Sequence, residues 1–185
     1  MIWAILALLA LLGWFIYLFN TLISLSNRAD AAWADIDAQL KRRYDLVPNL
    51  VEIVKGYAAH ESDTFEKVAA ARTAALDTYT PDEKTKSEPP LLAGVRQLLA
   101  LAEAYPALKA NEEFTGLQQT LTDIEDYLQS ARRSYNTVVR DLNTTLQVFP
   151  NNLVASMLAV APREYFQLDH EQEAKPVSAN LGASA

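Results

Sequence analysis

The sequence predicts an all-α protein in which an N-terminal transmembrane helix continues into an antiparallel, four-helix-type bundle of long helices. Three observations predict this fold class. The chain starts with an uncharged apolar run, and the stretches that follow repeat apolar side chains every three or four residues, as helices with one buried face do. Only five of the 185 residues are glycine and β-branched clusters are few, so β structure is disfavoured.

The first apolar run, IWAILALLALLGWFIYLF from Ile2 to Phe19, predicts a membrane anchor. As a helix it is roughly 27 Å long, close to the thickness of a bilayer's hydrocarbon core. A cleaved secretory signal is the alternative, but no Lys or Arg precedes the run and the nearest small-x-small triplet, at 29–31, lies well beyond it. The anchor residues singled out for contact with lipid are Ile2, Trp3, Leu8, Leu12, Gly13, Trp14, Phe15 and Phe19.

Basic residues near the anchor predict its orientation. None precedes the anchor, whereas Arg28 and the triplet 41–43 follow it. Cytoplasmic flanks carry the excess of Lys and Arg, so we expect a single-pass cell-membrane protein with its N-terminus outside and its domain in the cytoplasm. A domain on the extracytoplasmic side is the alternative.

Residues 20–45 have one apolar stripe and predict a stalk helix that runs unbroken out of the membrane. Pro48 then predicts a break, because a proline inside a helix loses a hydrogen bond and clashes with the preceding turn. Asp45 would cap a second helix that runs from Leu46 to about Leu76. The KRRYD cluster at 41–45 is therefore predicted at a corner between two helices, with its arginines on the last carbonyls of the stalk or on a partner.

The remaining helices are predicted from the residues that break or cap a helix. The polar, proline-rich segment TPDEKTKSEPP at 80–90 predicts a loop, followed by a third helix over 91–104. Asn111 is a good N-cap for the longest helix, which ends at Pro150. A period near 3.5 predicts bundle or coiled-coil packing for this helix, through a stripe formed by Leu117, Leu121, Ile124, Leu128, Ala131, Tyr135, Val138, Leu142, Thr145 and Phe149.

The C-terminal part divides into an apolar and a polar segment. NNLVASMLAVA at 151–161 is too short to span a membrane, so it either docks on the bundle or lies in the membrane interface. Residues 167–185 are polar and predict a tail that is disordered in an isolated monomer. The predicted organisation is thus an anchor at 1–19, a bundle at 20–166 and the tail.

Composition and motifs argue against several kinds of function. The net charge of −7 disfavours nucleic acid as a partner, and the absence of cysteine excludes disulfides and thiolate sites. The two histidines are His60 and His170, and Tyr57 stands where a Glu-x-x-His metal pair would need its glutamate. Without a nucleophile elbow or a phosphate-binding glycine loop, we predict no catalytic, cofactor or metal residues and no enzyme.

Four segments closely resemble the LemA family: DAAWADIDAQLKRRYDLVPNLVEIVKGYAAHE at 30–61, EAYPALKANEEFTGLQQTL at 103–121, ARRSYNTVV at 131–139 and FPNNLVA at 149–155. The resemblance implies one N-terminal membrane helix, a cytoplasmic helical bundle and a family without a settled molecular function. The chain departs after Ala155, where the family often has a Gly-aromatic pair. The motif residues singled out at the predicted corner and just before it are Trp33, Arg42, Arg43, Tyr44, Asp45, Pro48 and Asn49.

These observations predict a membrane-anchored scaffold or assembly module with the lipid bilayer, copies of itself and other membrane proteins as partners. Small residues let membrane helices approach closely, and the anchor offers Ala4, Ala7, Ala10 and Gly13 for contacts in a homo-oligomer. A neighbouring subunit would then cover the segment at 151–161. The alternative is a small membrane-tethered enzyme or sensor that uses His60 and helix carboxylates.

Overall fold

The computed structural model of the protein describes residues 1–167 and is all-α over that part, as predicted. The helices in the described part are α1 (Ile2–Lys55), α2 (Ser62–Leu76), α3 (Pro81–Ala104), α4 (Pro106–Lys109), α5 (Glu112–Gln147) and α6 (Asn151–Leu158). Helices α1, α2, α3 and α5 form an antiparallel bundle in which α5 packs along α1 and α2 packs on α3. The predicted tail beyond Gln167, with His170, lies outside the described residues.

Helix α1 joins the anchor to the bundle without interruption, so the predicted stalk is confirmed. Its 54 residues correspond to about 80 Å of helix. The N-terminal part is apolar, exposed and long enough to cross a membrane. Farther along, one face enters the core at regular helical spacing, from Leu22 through Ile36 and Leu40 to Leu50 and Val54.

The predicted break at Pro48 is wrong, because α1 continues through this proline to Lys55. Proline has no N–H to donate to the carbonyl four residues earlier, which is that of Tyr44. The Nε of Arg72 on α2 donates to this carbonyl at 2.7 Å instead. A long-range hydrogen bond thus pairs the carbonyl that the proline leaves free, and the chain turns only after Lys55.

The loop predicted at 80–90 is also wrong, since α3 begins at Pro81 and includes Pro89 and Pro90. Thr80 and Glu83 form a capping box: the Thr80 hydroxyl accepts from the Glu83 N–H, and the Glu83 carboxylate accepts from the Thr80 N–H. Pro81 occupies the first helical position, where its missing N–H is harmless. The end of the predicted third helix at Ala104 is confirmed, although its start lies ten residues too late.

Helices α2 and α3 approach closely at Gly94. A Cβ added at Gly94 would lie 2.7 Å from Cγ2 of Val68 on α2, which is shorter than real contacts allow. Gly94 therefore brings α3 near enough to α2 for Val68 and Val95 to be buried between the helices.

Helix α5 follows its prediction closely. Asn111 caps it, with Oδ1 accepting from the Phe114 N–H at 2.8 Å. Most of the predicted stripe faces α1 and the core, but Phe149 lies beyond the helix end and is exposed, and Leu146 takes its place in the core. Because a straight helix has 3.6 rather than 3.5 residues per turn, the buried face shifts gradually along a long stripe.

The C-terminal part folds back on the bundle. Val154 and Ala155 of α6 are buried, so one face of this segment docks on the bundle, as the first of the two predicted placements requires. The chain then runs beside α5, where the side-chain amide of Asn143 bonds the backbone of Arg163 and that of Asn136 bonds the backbone of Phe166, each through both its oxygen and its nitrogen. These paired bonds fix the returning segment in register with α5.

Candidate functional site

The middle of the bundle contains a buried ionic cluster formed by Arg43, Tyr44, Lys84, Glu88 and Glu125. Arg43 pairs with Glu88 through Nη2 and with Glu125 through Nη1, the second contact at 2.9 Å. Glu88 is completely buried, whereas the Glu125 side chain is about one-third exposed. The cluster thus reaches the surface on the α5 side.

Tyr44 connects Glu88 to the second cation of the cluster. Its hydroxyl donates to Oε1 of Glu88 and accepts from Nζ of Lys84 at 3.1 Å. The same Nζ donates to the carbonyl of Ala75 at 2.8 Å and lies 4.8 Å from the centre of the Tyr44 ring. One hydroxyl and one ammonium group therefore link α1, α2 and α3.

Charges inside the cluster are matched, with Arg43 and Lys84 opposite Glu88 and Glu125. Burial lowers the pKa of Arg43 and the pKa of Lys84, because removing a cation from water disfavours its charged form. The Glu125 carboxylate opposes this effect on the pKa of Arg43. Burial also raises the pKa of the Tyr44 hydroxyl well above its ordinary value, so Tyr44 is neutral and donates at neutral pH.

The geometry suits holding helices in register better than chemistry on a substrate. Tyr44, Lys84 and Glu88 are almost or completely inaccessible to solvent; the Tyr44 hydroxyl and the Lys84 ammonium bond within the cluster or to a backbone carbonyl, and Oε2 of Glu88 pairs with Arg43. Within residues 1–167, the Nε of Arg43 is buried without a hydrogen-bond partner. A helix that slid along its neighbour would leave one of these charges unpaired, at a cost of several kcal/mol. The cluster therefore specifies how α1, α3 and α5 align.

The predicted motif residues separate into two groups. Arg43 and Tyr44 point into the bundle and join the ionic cluster, whereas Arg42, Asp45, Pro48 and Asn49 are exposed on the middle of α1. The predicted helix-to-helix corner at this motif is wrong, because the helix continues through it, and Asp45 caps no helix. The arginines therefore do not bond the carbonyls of a helix end.

Trp33 belongs to a second group nearer the anchor. Its ring lies 5.5 Å from the rings of Tyr135 and Phe166, measured between centroids, and the Phe166 ring stands edge-on to it. The Tyr135 hydroxyl donates to the Glu164 carbonyl at 2.9 Å, and burial raises the pKa of Tyr135 to about 12. Beside Trp33 opens a cleft of about 340 Å³ lined by α1, the α2–α3 turn and the returning segment.

The apolar side chains of nearly all the predicted anchor residues are exposed. Ile2, Trp3, Leu8, Leu12 and Trp14 lie on every side of α1, as a helix surrounded by lipid requires. Gly13 has no atom of another element near the position of a Cβ, and Phe19 is exposed. Phe15 departs from this pattern because it is partly covered and packs against the core.

His60, the histidine within the described residues, is exposed in the α1–α2 turn. In residues 1–167 no group of three or more His, Asp or Glu side chains is arranged to hold a metal ion.

Sequence reasoning missed Lys84, Glu88 and Glu125 as members of a site. Lys84 and Glu88 fall in the segment predicted as a loop, where charged side chains are normally exposed to solvent. The available signal was the Thr80-x-x-Glu83 pair with Pro81 between them, which marks a helix start. Starting the helix there places Lys84 and Glu88 one turn apart on a single face.

The chain is similar to known proteins over most of its length. The sequence model of the LemA family matches residues 32–179. A magnetosome protein MamQ of Paramagnetospirillum magneticum is 21% identical over 90% of this chain and 71% of its own length. MamQ of Magnetospirillum gryphiswaldense is 21% identical over 92% of this chain and 71% of its own length. The protein LemA of Metamycoplasma hominis is 27% identical over 80% of this chain and 68% of its own length.

Proposed function

The chain belongs to the LemA family, and we propose that it is a membrane-anchored scaffold that holds a rigid helical bundle at a fixed height above the bilayer. The observation that carries this proposal is the continuity of α1. One uninterrupted helix supplies the lipid-length apolar segment and one wall of the bundle. The bundle consequently has no flexible linker through which to reorient relative to the span.

The ionic cluster supports the same role. It ties α3 and α5 to α1 at Arg43, about 35 Å beyond the end of the apolar run at Phe19. Because its charges are paired within the bundle, the cluster stiffens the domain without requiring a ligand. This supports a structural role rather than a catalytic one.

The relatives add weaker support. Two of those described above are named as magnetosome proteins, after a cellular structure rather than after a reaction. A structural role for this chain at its own membrane is consistent with those names.

We further propose that scaffolding involves homo-oligomers whose anchors pack side by side. Gly13 presents an open backbone on the anchor, and Ala4, Ala7 and Ala10 offer further places for close approach. The full-length protein with Ala7→Cys, oxidised in native membranes, should give a disulfide-linked dimer. Ile5→Cys is the matched control. Position 5 lies within one helical turn of position 7, at nearly the same depth in the membrane, but on a different face of the helix, so it should cross-link much less. Monomer alone from Ala7→Cys would contradict the assembly.

For orientation we propose an outside N-terminus and a cytoplasmic domain, on the basis of the basic residues that follow the anchor. Tyr127 is exposed on α5, so Tyr127→Cys provides a reporter in the cysteine-free chain. A membrane-impermeant maleimide should label this variant only after the cells are opened. Labelling of intact cells would place the domain on the outer side.

The fixed height is tested by energy transfer from a dye on His60→Cys, at the far end of the bundle, to acceptors in the lipid headgroups. Position 60 follows the end of α1, and the part of α1 beyond Phe19 is about 54 Å long. We expect weak transfer with a single narrow distance distribution. Inserting a Gly-Ser segment after Ser24 should broaden the distribution, and a broad distribution in the unmodified chain would contradict a rigid scaffold.

A further inference from the structure

Two charge-free stretches of the chain have three of their ends at the same height on the molecule. Residues 2–27 contain no charged side chain, and neither do residues 142–162. Arg43 on α1 faces Glu125 on α5, and Trp33 on α1 faces Tyr135 on α5. Because the two helices are antiparallel, a step of ten residues toward the anchor on α1 corresponds to a step of ten residues toward the C-terminus on α5. This register places Arg140 and Asp141 level with Arg28 and Asn27.

The returning segment reaches its first charge at the same level. Arg163 forms a salt bridge of 2.7 Å with Asp30 on α1, and its backbone bonds the side chain of Asn143 on α5. A plane through Arg28, Arg140 and Arg163 thus divides the described part of the molecule. Among residues 1–167, every charged side chain lies at this plane or on its far side, and the anchor side has none.

Helix α6 lies on the anchor side of this plane, beside the end of the apolar run. The register sets the end of α5, at Gln147, level with Thr21. Phe15 and Leu18 lie farther along the anchor, yet they are the two residues of the first twenty that are partly covered and packed against the core. Since α6 follows α5 and contacts α1, we infer that α6 and the turn before it cover them.

The outer face of α6 exposes Leu153 and Met157 beside the polar Asn152 and Ser156. Leu153 and Met157 are four residues apart on α6 and so form one stripe, while Phe149 lies two residues before the helix; the three side chains are 57%, 73% and 77% exposed. The opposite face, with Val154 and Ala155, is buried against the bundle. In water such a stripe would be unfavourable, but it continues the lipid-facing surface of the anchor.

We propose that α6 lies in the interface of the bilayer, with Phe149, Leu153 and Met157 in contact with acyl chains. The length of α1 agrees: residues 1–27 form about 40 Å of helix, which matches a bilayer that includes its headgroups. Arg28, Arg140 and Arg163 then stand at the level of the lipid phosphates, where long basic side chains are favoured. The proposal rests on membrane anchorage alone and is independent of the scaffold role.

The test uses three single-cysteine variants of the full chain, each carrying the same fluorophore, in phosphatidylcholine vesicles with doxyl quenchers both near the top and near the end of the acyl chain. Met157→Cys reports on α6 and Leu12→Cys on the anchor. Tyr127→Cys is the matched control, because it is also exposed but lies level with Lys41, about 30 Å beyond Asn20. We expect strong quenching at 157 and 12 and none at 127.

Each other outcome overturns the proposal in a distinguishable way. Quenching at 12 but not at 157 would show that the chain is anchored while α6 stays in water. If Met157→Cys instead forms disulfide-linked dimers and is shielded from the quencher, a second copy of the chain covers the stripe. Absence of quenching at 12 would refute membrane anchorage itself, and with it the placement of α6.

Discussion

The anchor end and the middle of the bundle distribute apolar and charged side chains in opposite ways. At the anchor end apolar side chains face outward and the structure has no charge from Ile2 to Asn27. In the middle of the bundle Arg43, Lys84 and Glu88 lie inside and are almost fully buried. The surroundings decide each arrangement: lipid accepts apolar surface, whereas a buried charge is tolerated only when an opposite charge accompanies it.

The comparison also shows how one helix serves both environments. The first part of α1 is apolar on all sides, and the later part is apolar on one side only. A single backbone conformation satisfies its hydrogen bonds in lipid and in water. What changes along the helix is the pattern of side chains, so the same substitution should impair folding of the bundle in one setting and membrane insertion in the other.

The largest effect expected is that of Leu128→Asp, which places an unpaired charge in the buried face of α5. Such burial costs several kcal/mol, a large part of the stability of a domain. Leu11→Asp is the matched change on the exposed anchor and should leave the thermal unfolding of the bundle unchanged. Its penalty, about 3 kcal/mol, falls on membrane insertion, which alkaline extraction of membranes measures. Equal melting temperatures for Leu128→Asp and the parent would mean that Leu128 faces outward.

Glu88→Ala should destabilise the bundle by about 3–5 kcal/mol, because it removes the carboxylate that faces Arg43 and accepts from Tyr44. Denaturant unfolding in detergent measures the change. Asp126→Ala, at an exposed carboxylate of α5, is the control and should stay within about 0.5 kcal/mol of the parent. A similar small effect for both variants would show that the ionic cluster does not hold the helices together.

Tyr135 makes stability depend on alkaline pH. Its pKa rises on folding from 10.0 to about 12 because the ring is buried, so its contribution is complete below pH 10 and is lost as pH rises through about 12. Tyr135→Phe should lower stability at pH 8 by about 1 kcal/mol, the value of one hydrogen bond, and flatten the decline above pH 10. Unfolding curves of both proteins across this range measure it. The same slope in both would assign the decline to other groups such as Tyr44.

Thr80→Ala should have the smallest effect, about 1 kcal/mol, because it removes the hydroxyl that caps α3. Thr80→Ser keeps an oxygen in place and serves as the control. Hydrogen exchange of the amides at 81–85 reports the change locally, with faster exchange expected in the alanine variant. Unchanged exchange would indicate that the buried Lys84 and Glu88, rather than the cap, determine where α3 begins.

The apolar N-terminal helix, the stalk and α5 could be predicted from the sequence. Each of these depends on local signals: an apolar run of lipid length, a period near 3.6, and the cap at Asn111. These signals act within a few turns of one helix, so they are visible without knowledge of the neighbouring helices.

The end of α1, the packing of α6 on the bundle and the burial of particular charges depend on contacts between helices, so the sequence did not reveal them. Pro48 stays inside a helix because Arg72, from another helix, bonds the carbonyl that the proline leaves free. Lys84 and Glu88 are inside because Arg43 and Tyr44 meet them across the bundle. Partners such as these lie far apart along the chain, and local periodicity does not indicate which helices will pack against one another.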